Sequence, residues 1–231
     1  MPSLPPAIDL HVHERGSGPL VVGLHDLGSE GMRMQALLGG LVRRGHRLVT
    51  PDLRGHGRSP SPHGPWSIDD VASDVARVVA SRGAPAIVVG QGLGAAAAVA
   101  MALGHPGLVN GLVLAGLTPR AEEPETQDRW MRVARALRER DREGVALAAE
   151  AMAARPDWRG ALPQLDAPAI VLAGARDRAA PPDAQRDLAV WIRRARLTVV
   201  DAGHDVAGER PDLVMEAVLR LEATDREAVA A

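Results

Sequence analysis

The sequence predicts an α/β fold: a mostly parallel, twisted sheet with helices on both faces. Three observations predict it. Short apolar runs alternate with longer helical patterns along the chain. The runs are continuously apolar, as in strands buried on both faces. The length of 231 residues suits one large domain with a small insertion and leaves little room for a second full domain.

Taken in order, Ile8 to Glu14 alternates and reads as an antiparallel edge strand, with a turn at Gly16-Ser17-Gly18-Pro19. Leu20 to Leu24 is the first buried strand. Residues 32–44 read as a helix with Met34, Leu37, Leu38, Leu41 and Val42 on one face. Arg47 to Thr50 is the second parallel strand. Asp69 to Ala80 is a helix with Val71, Val75, Val78 and Val79 facing in and Ser67 as its N-cap. Ala86 to Val89 is the third strand; it runs into Gly90-Gln-Gly-Leu-Gly94 and a helix over 93–104. Gly111 to Ala115, Ala169 to Ala173 and Leu197 to Val200 complete the sheet. Helices near 182–194 and 211–221 follow the last two strands, and the polar, Ala-rich tail after Leu221 is expected to fray.

One segment breaks the rhythm. A βα crossover is normally far shorter than the stretch between the fourth and fifth strands. Residues 118–164 therefore read as a helical cap or lid, and residues 1–117 with 165–231 as the core. The insertion holds two helical patterns, 125–141 and 143–154, with Trp130, Val133 and Leu137 as the apolar stripe of the first. Its arginines, Arg129, Arg132, Arg135 and Arg138, read as a solvated face with ion pairs rather than an anion site.

Composition narrows the function. The chain has 27 basic and 29 acidic residues, a net charge of −2, so the basic footprint of a nucleic-acid binder is absent. Cys, Phe and Tyr each number 0, and no Lys occurs, which removes thiolate nucleophiles, Cys-ligated metals, Schiff bases and tyrosine acids. The core falls to Val, Leu, Ala, Met and the four tryptophans, Trp66, Trp130, Trp158 and Trp191. No run spans a bilayer, and Met1 to Asp9 lacks a basic n-region and an apolar h-region, so the expectation is a soluble, cytoplasmic protein without a membrane partner.

Four strings at predicted strand ends carry chemistry. They are Leu24-His-Asp-Leu-Gly28, Pro51-Asp-Leu-Arg-Gly-His-Gly-Arg-Ser59, Val89-Gly-Gln-Gly-Leu-Gly94, and the pair Ala173-Gly-Ala-Arg-Asp177 with Asp201-Ala-Gly-His204. In this order they resemble the α/β-hydrolase family, nearly end to end, in its serine esterase and lipase-like form. The resemblance implies a nucleophile elbow at Gly90–Gly94, oxyanion donors at the backbone N–H groups of Leu27 and Leu93, and an acid–base pair of Asp177 and His204. His25, Asp26, Gln91 and Trp130 join the list as oxyanion-loop or substrate-binding residues.

The departure is at the centre. Position 92 is Gly, where the family carries its nucleophilic Ser, so the family's covalent step has no side chain there. Asp26 stands where the family usually has Gly; it either bonds its own turn or points a carboxylate into the site. Ser29 and Ser59 lie in neighbouring loops, and Ser59 reads as loop-bonding. His11 and His13 share one face of the edge strand beside Glu14 and read as surface residues; no metal or cofactor is expected. His46, His63 and His105 read as surface or loop residues, and His56 as structural.

Three readings of function follow. A His204–Asp177 dyad acts as general base on an apolar ester, lactone or acyl compound. Alternatively, the chain is a hydrolase inactivated by the Ser-to-Gly exchange, or a non-catalytic binder of a small molecule. Gly90-x-Gly-x-x-Ala95 also fits a dinucleotide fingerprint, but two βα units precede it and no acidic residue ends the next strand.

Overall fold

The computed structural model describes residues 8–83 and 85–230. The N-terminal stretch read for a signal falls largely on residues 1–7, outside the described residues. Among the described residues seven strands form one sheet: β1 (Val12–Arg15), β2 (Leu20–Leu24), β3 (Arg47–Pro51), β4 (Ala86–Gln91), β5 (Val109–Ala115), β6 (Ala169–Gly174) and β7 (Ala195–Val200). Their spatial order is β1-β3-β2-β4-β5-β6-β7. Of these strands β1 alone is antiparallel; it pairs with β3 through Val12 to Arg15, shorter than the stretch that alternates in sequence.

The period of two along each strand divides the core into two layers. On one face Leu20, Val22, Leu24, Val88, Leu112 and Leu114 pack against α3 (Ile68–Ala80), α4 (Leu93–Gly104) and α7 (Pro182–Trp191). On the other, Val21, Leu48, Ile87, Val89, Val113 and Leu172 meet α1 (Gly31–Leu38), α2 (Gly40–Arg43), α8 (Val206–Glu209) and α9 (Pro211–Ala230). Both parities are apolar because both faces are covered. The helix read over 32–44 is broken at Gly39 into α1 and α2. α9 runs on through the polar, Ala-rich tail to Ala230. Trp66 and Trp158 are buried as expected, but Trp191 is exposed at the end of α7.

Between β5 and β6 stand two helices, α5 (Pro124–Arg138) and α6 (Glu143–Ala153). Their seam is built of small residues: Ala134, Ala146 and Ala149 interlock, flanked by Trp130, Leu137 and Leu27. The stripe on α5 is thus Trp130, Ala134 and Leu137, while Val133 turns outward. Spacing of four and three residues places Ala134 on the seam, and its small size lets α6 approach closely. Buried Arg155 ties the pair to its root by donating to Thr118 Oγ1 at 2.8 Å and Glu122 Oε1 at 2.9 Å. Among the described residues no helix is long and apolar enough to cross a membrane.

The string Asp52 to Ser59 is held by a fully buried ion pair. Arg54 Nε donates to Asp74 Oδ2 on α3 at 2.6 Å, its Nη2 donates to the Asp70 carbonyl, and its guanidinium stacks over Trp66. Removing one partner of such a pair strands a charge in the core. Arg54→Met is expected to lower unfolding free energy by about 3–5 kcal/mol, and Arg54→Met with Asp74→Leu to recover most of it. Guanidinium denaturation of the two variants checks this; a single-variant loss below about 1 kcal/mol contradicts it.

Candidate functional site

All four strings end on the carboxyl edge of the sheet, where open α/β sheets bind ligands. The turn from β4 into α4 is sharp. Gly92 sits at φ 51° and ψ −111°, a conformation that favours glycine. Its neighbours need their small size: a Cβ on Gly94 would lie 2.3 Å from the Leu24 carbonyl oxygen, and one on Gly90 2.5 Å from Ala95 Cα. The turn therefore presses α4 onto β2 and presents its first N–H groups and positive dipole end to the loop after β2.

That loop delivers Asp26. Its Oδ1 accepts from the backbone N–H of Leu27 at 2.7 Å and of Leu93 at 2.9 Å. These are the two groups that the family resemblance implies as oxyanion donors. The carboxylate also occupies the space over Gly92, where a Cβ would stand 1.9 Å from Oδ1. Asp26 thus both bonds its own turn and faces the site; the two sequence readings hold together.

His204 closes the arrangement. Its Nδ1 donates to Asp177 Oδ2 at 2.9 Å, and its Nε2 lies 3.3 Å from Asp26 Oδ2. Asp177 is buried, its Oδ1 accepting from the N–H groups of Ala179 and Ala180. Burial works to raise its pKa, but His204 and those N–H groups outweigh it and hold the carboxyl below its usual range. His204, paired first with Asp177 and then with Asp26, has its pKa raised to about 10. The resting imidazole is consequently a cation at neutral pH, and a free base only once one carboxylate is displaced or neutralised.

Other predicted residues sit elsewhere. His25 does not line the cavity. It is fully buried, with Nδ1 bonded to the Asp26 carbonyl at 2.8 Å and Nε2 accepting from Leu53 N–H at 2.9 Å. Burial and the neighbouring His56 lower its pKa to about 4, so it is a neutral crosslink between two loops. His56 does the same work, bonding the Arg54 carbonyl and accepting from Gly28 N–H. Gln91 is also buried away from the cavity. Its Nε2 donates to the His204 carbonyl at 2.7 Å, which fixes the histidine loop. His46, read as a surface or loop residue, is buried against Leu41 and Glu222, because α9 covers it. Ser59 donates to the Asp52 carbonyl and accepts from His11 N–H. His11, His13 and Asp52 cluster at the β1 edge with ligand atoms within 4.8 Å of one another. Asp52 already accepts from Gly31 and Arg58 N–H groups, which accounts for its burial without an ion.

Sequence reasoning missed Gln185. This fully buried side chain donates to Asp177 Oδ2 and the Ala180 carbonyl and accepts from Gly116 N–H, tying the acid loop to β5. Gln185 shares the buried face of α7 with Leu188, and a lone amide at a core-facing position of that helix was the signal available.

The cavity over Asp26 and His204 has a volume of about 300 Å³. Leu27, Leu117, Trp130 and Met152 make its apolar wall, and Thr118, Glu122, Arg129 and Arg155 its polar rim. That is the lower end of ligand-sized cavities.

A fold of this order, with these strings at these strand ends, belongs to a known class. The chain is a member of the alpha/beta hydrolase family, whose model matches residues 20–217. It is 37% identical over 119 residues to the 2-(acetamidomethylene)succinate hydrolase of Mesorhizobium japonicum, covering 50% of this chain and 41% of that protein. It is 39% identical over 110 residues to lipase LipV of Mycobacterium tuberculosis, covering 46% and 41%. The aligned stretch thus spans about two-fifths of the length of these curated relatives. Among solved structures, a thermophilic esterase from Thermogutta terrifontis superposes with TM-score 0.86 at 27% identity, covering 94% of each chain.

The histidines yield a prediction with opposite signs on the two sides of neutrality. His25 resists protonation down to about 4 when folded, against 6.5 when unfolded, so its contribution is present above pH 6.5 and lost as pH falls toward 4. His204 keeps its proton to about 10, so its contribution is present below pH 6.5 and lost as pH rises toward 10. Urea midpoints should therefore fall on both sides, His25→Asn flattening the acid limb and His204→Gln the alkaline one. Histidine NMR titrations read the two midpoints directly; ordinary values near 6.5 for both would refute the assignment.

Proposed function

We propose that this chain is a small-molecule hydrolase that works without a serine. His204, oriented by Asp177, activates water in the cavity once substrate displaces or neutralises the Asp26 carboxylate, and the helices α5 and α6 serve as a cap over it. The observation that carries this reading is the unbroken line from Asp177 through His204 to the Asp26 carboxylate on the Leu27 and Leu93 N–H groups. A binding protein has no use for a base held by a buried acid. The cavity's size and lining suit a small, mainly apolar molecule with one polar group. The esterase and hydrolase relatives support the same class of substrate.

The test is acid release, followed with a pH indicator, from p-nitrophenyl esters, lactones and alkyl bromides. At least one class should be turned over, and His204→Ala should lower that rate about 10²–10⁴-fold. No turnover of any class, or turnover untouched by His204→Ala, overturns the proposal.

A second reading has its own observation. Asp26 Oδ1 lies where the oxygen of an acyl substrate would need to lie, so the scaffold of a serine hydrolase would be silenced by its own carboxylate. Gly92→Ser alone is then expected to stay inert toward p-nitrophenyl butyrate and to lose stability, because its Cβ collides with Asp26. Asp26→Gly combined with Gly92→Ser should hydrolyse the ester and take a fluorophosphonate label. Activity in the single variant, or none in a folded double variant, contradicts that reading.

A further inference from the structure

We propose that Asp26 is the nucleophile of this protein, and that its substrates are alkyl electrophiles, an sp3 carbon bearing a group that departs as a stable anion, rather than acyl compounds. The inference rests on the reading of His204 and Asp177 as the water-activating pair.

The two carboxylate oxygens of Asp26 have different surroundings. Oδ1 is held by two N–H groups at 2.7 and 2.9 Å. Oδ2 accepts no backbone N–H among the described residues and faces His204 Nε2 at 3.3 Å. Asp26 lines the cavity together with Gly92 and His204. Oδ2, bound by no backbone donor and paired only with His204, is the oxygen placed to attack. The absence of a side chain at Gly92 is what admits the carboxylate: any Cβ there would displace it. The missing nucleophile at the elbow and the unusual aspartate opposite it are one arrangement.

The occupied N–H groups select the electrophile. Attack on an acyl carbon drives charge onto the substrate's carbonyl oxygen, which needs those donors for itself. Displacement at an sp3 carbon creates no such oxyanion; the charge leaves with the departing group. The donors are needed in the second step, when the oxyanion forms on Asp26 itself.

The steps balance. Oδ2 forms a bond to the substrate carbon as the carbon–halogen bond breaks, releasing halide and leaving an aspartyl alkyl ester. Esterification removes the negative charge facing His204 Nε2, so the imidazolium loses one of its two partners and yields its proton to solvent. His204 then takes a proton from water as the water oxygen adds to Asp26 Cγ. The oxyanion of that adduct is Oδ1, already seated on the Leu27 and Leu93 N–H groups. Collapse expels the alkoxide, which carries Oδ2 away and takes the proton from His204; the second proton of the water then passes from the new Asp26 carboxyl to His204, which restores the imidazolium and a carboxylate with one oxygen from water. The net reaction converts an alkyl halide and water into an alcohol, a proton and halide.

The surroundings fit an anionic leaving group. The chain has no Tyr to protonate a departing oxygen. Arg129 and Arg155 line the cavity. Arg155 is paired with Glu122, whereas Arg129 forms no ion pair among the described residues.

The experiment uses the full chain with 1-bromobutane and 1-bromohexane. Bromide release is expected from at least one, and Asp26→Asn, folded by circular dichroism, should reduce it at least about 10³-fold. A single turnover with enzyme in excess in H₂¹⁸O should give unlabelled alcohol, because its oxygen comes from Asp26. In His204→Gln the adduct should accumulate, and mass spectrometry of the tryptic peptide 16–33 should place one alkyl group on Asp26. The absence of Cys and Lys keeps background alkylation low. Labelled alcohol, no bromide release from either compound, or no adduct on Asp26 overturns the inference. If esters or lactones are hydrolysed through His204 while both bromides are inert, the inference fails and the hydrolase reading stands. If no class is turned over, both fail.

Discussion

Asp26 meets three groups from three places in the chain: the N–H of its own loop, the N–H that opens α4, and the imidazole of the loop after β7. This carboxylate is the constraint on which the rest of the site depends. It requires a bare backbone at position 92 and a helix N-terminus aimed across the β2–β4 boundary. It also sets the charge state of His204, which sits between two carboxylates and holds its proton up to about pH 10. The chemistry open to the site follows from that charge state, because a cationic histidine becomes a base only after one of the carboxylates changes.

Much of the remaining structure holds this carboxylate in register. His25 and His56 are neutral because they are buried, and each uses one nitrogen to donate and the other to accept, lacing the Asp26 loop to the Asp52–Ser59 loop. The second loop is anchored in turn by the buried Arg54–Asp74 pair on α3. On the opposite side Gln91 and Gln185 fix the histidine and acid loops to the ends of β4 and β5. The constellation therefore hangs from rigid elements at every corner, as a preorganised site requires.

The fold was largely legible because periodicity is a local property. Continuous apolar runs announced the buried strands, and Ser67, read as an N-cap, announced the start of α3, where the structure completes a capping box with Asp70. The site was legible as a set of strings at strand ends. Its members were harder to sort. His25 and Gln91 look like site residues in sequence because they flank Asp26 and Gly92, yet both side chains turn into the protein to satisfy backbone groups. Val133 looked apolar enough for the α5 seam, but Ala134 took that place because two helices meet most closely over small residues.

The sequence by itself determined the order of strands and helices, the family, the glycine-lined turn at Gly90–Gly94 and the chain order of acid and histidine. It also showed that Gly92 offers no nucleophile and that Asp26 is out of place. Tertiary structure alone decided that these two anomalies face each other. Positions 26 and 92 come together only when β2 and β4 pair in parallel, and only then does the carboxylate meet both N–H groups and His204. Distances of that kind arise from sheet register and the close packing of α4, which no local pattern encodes.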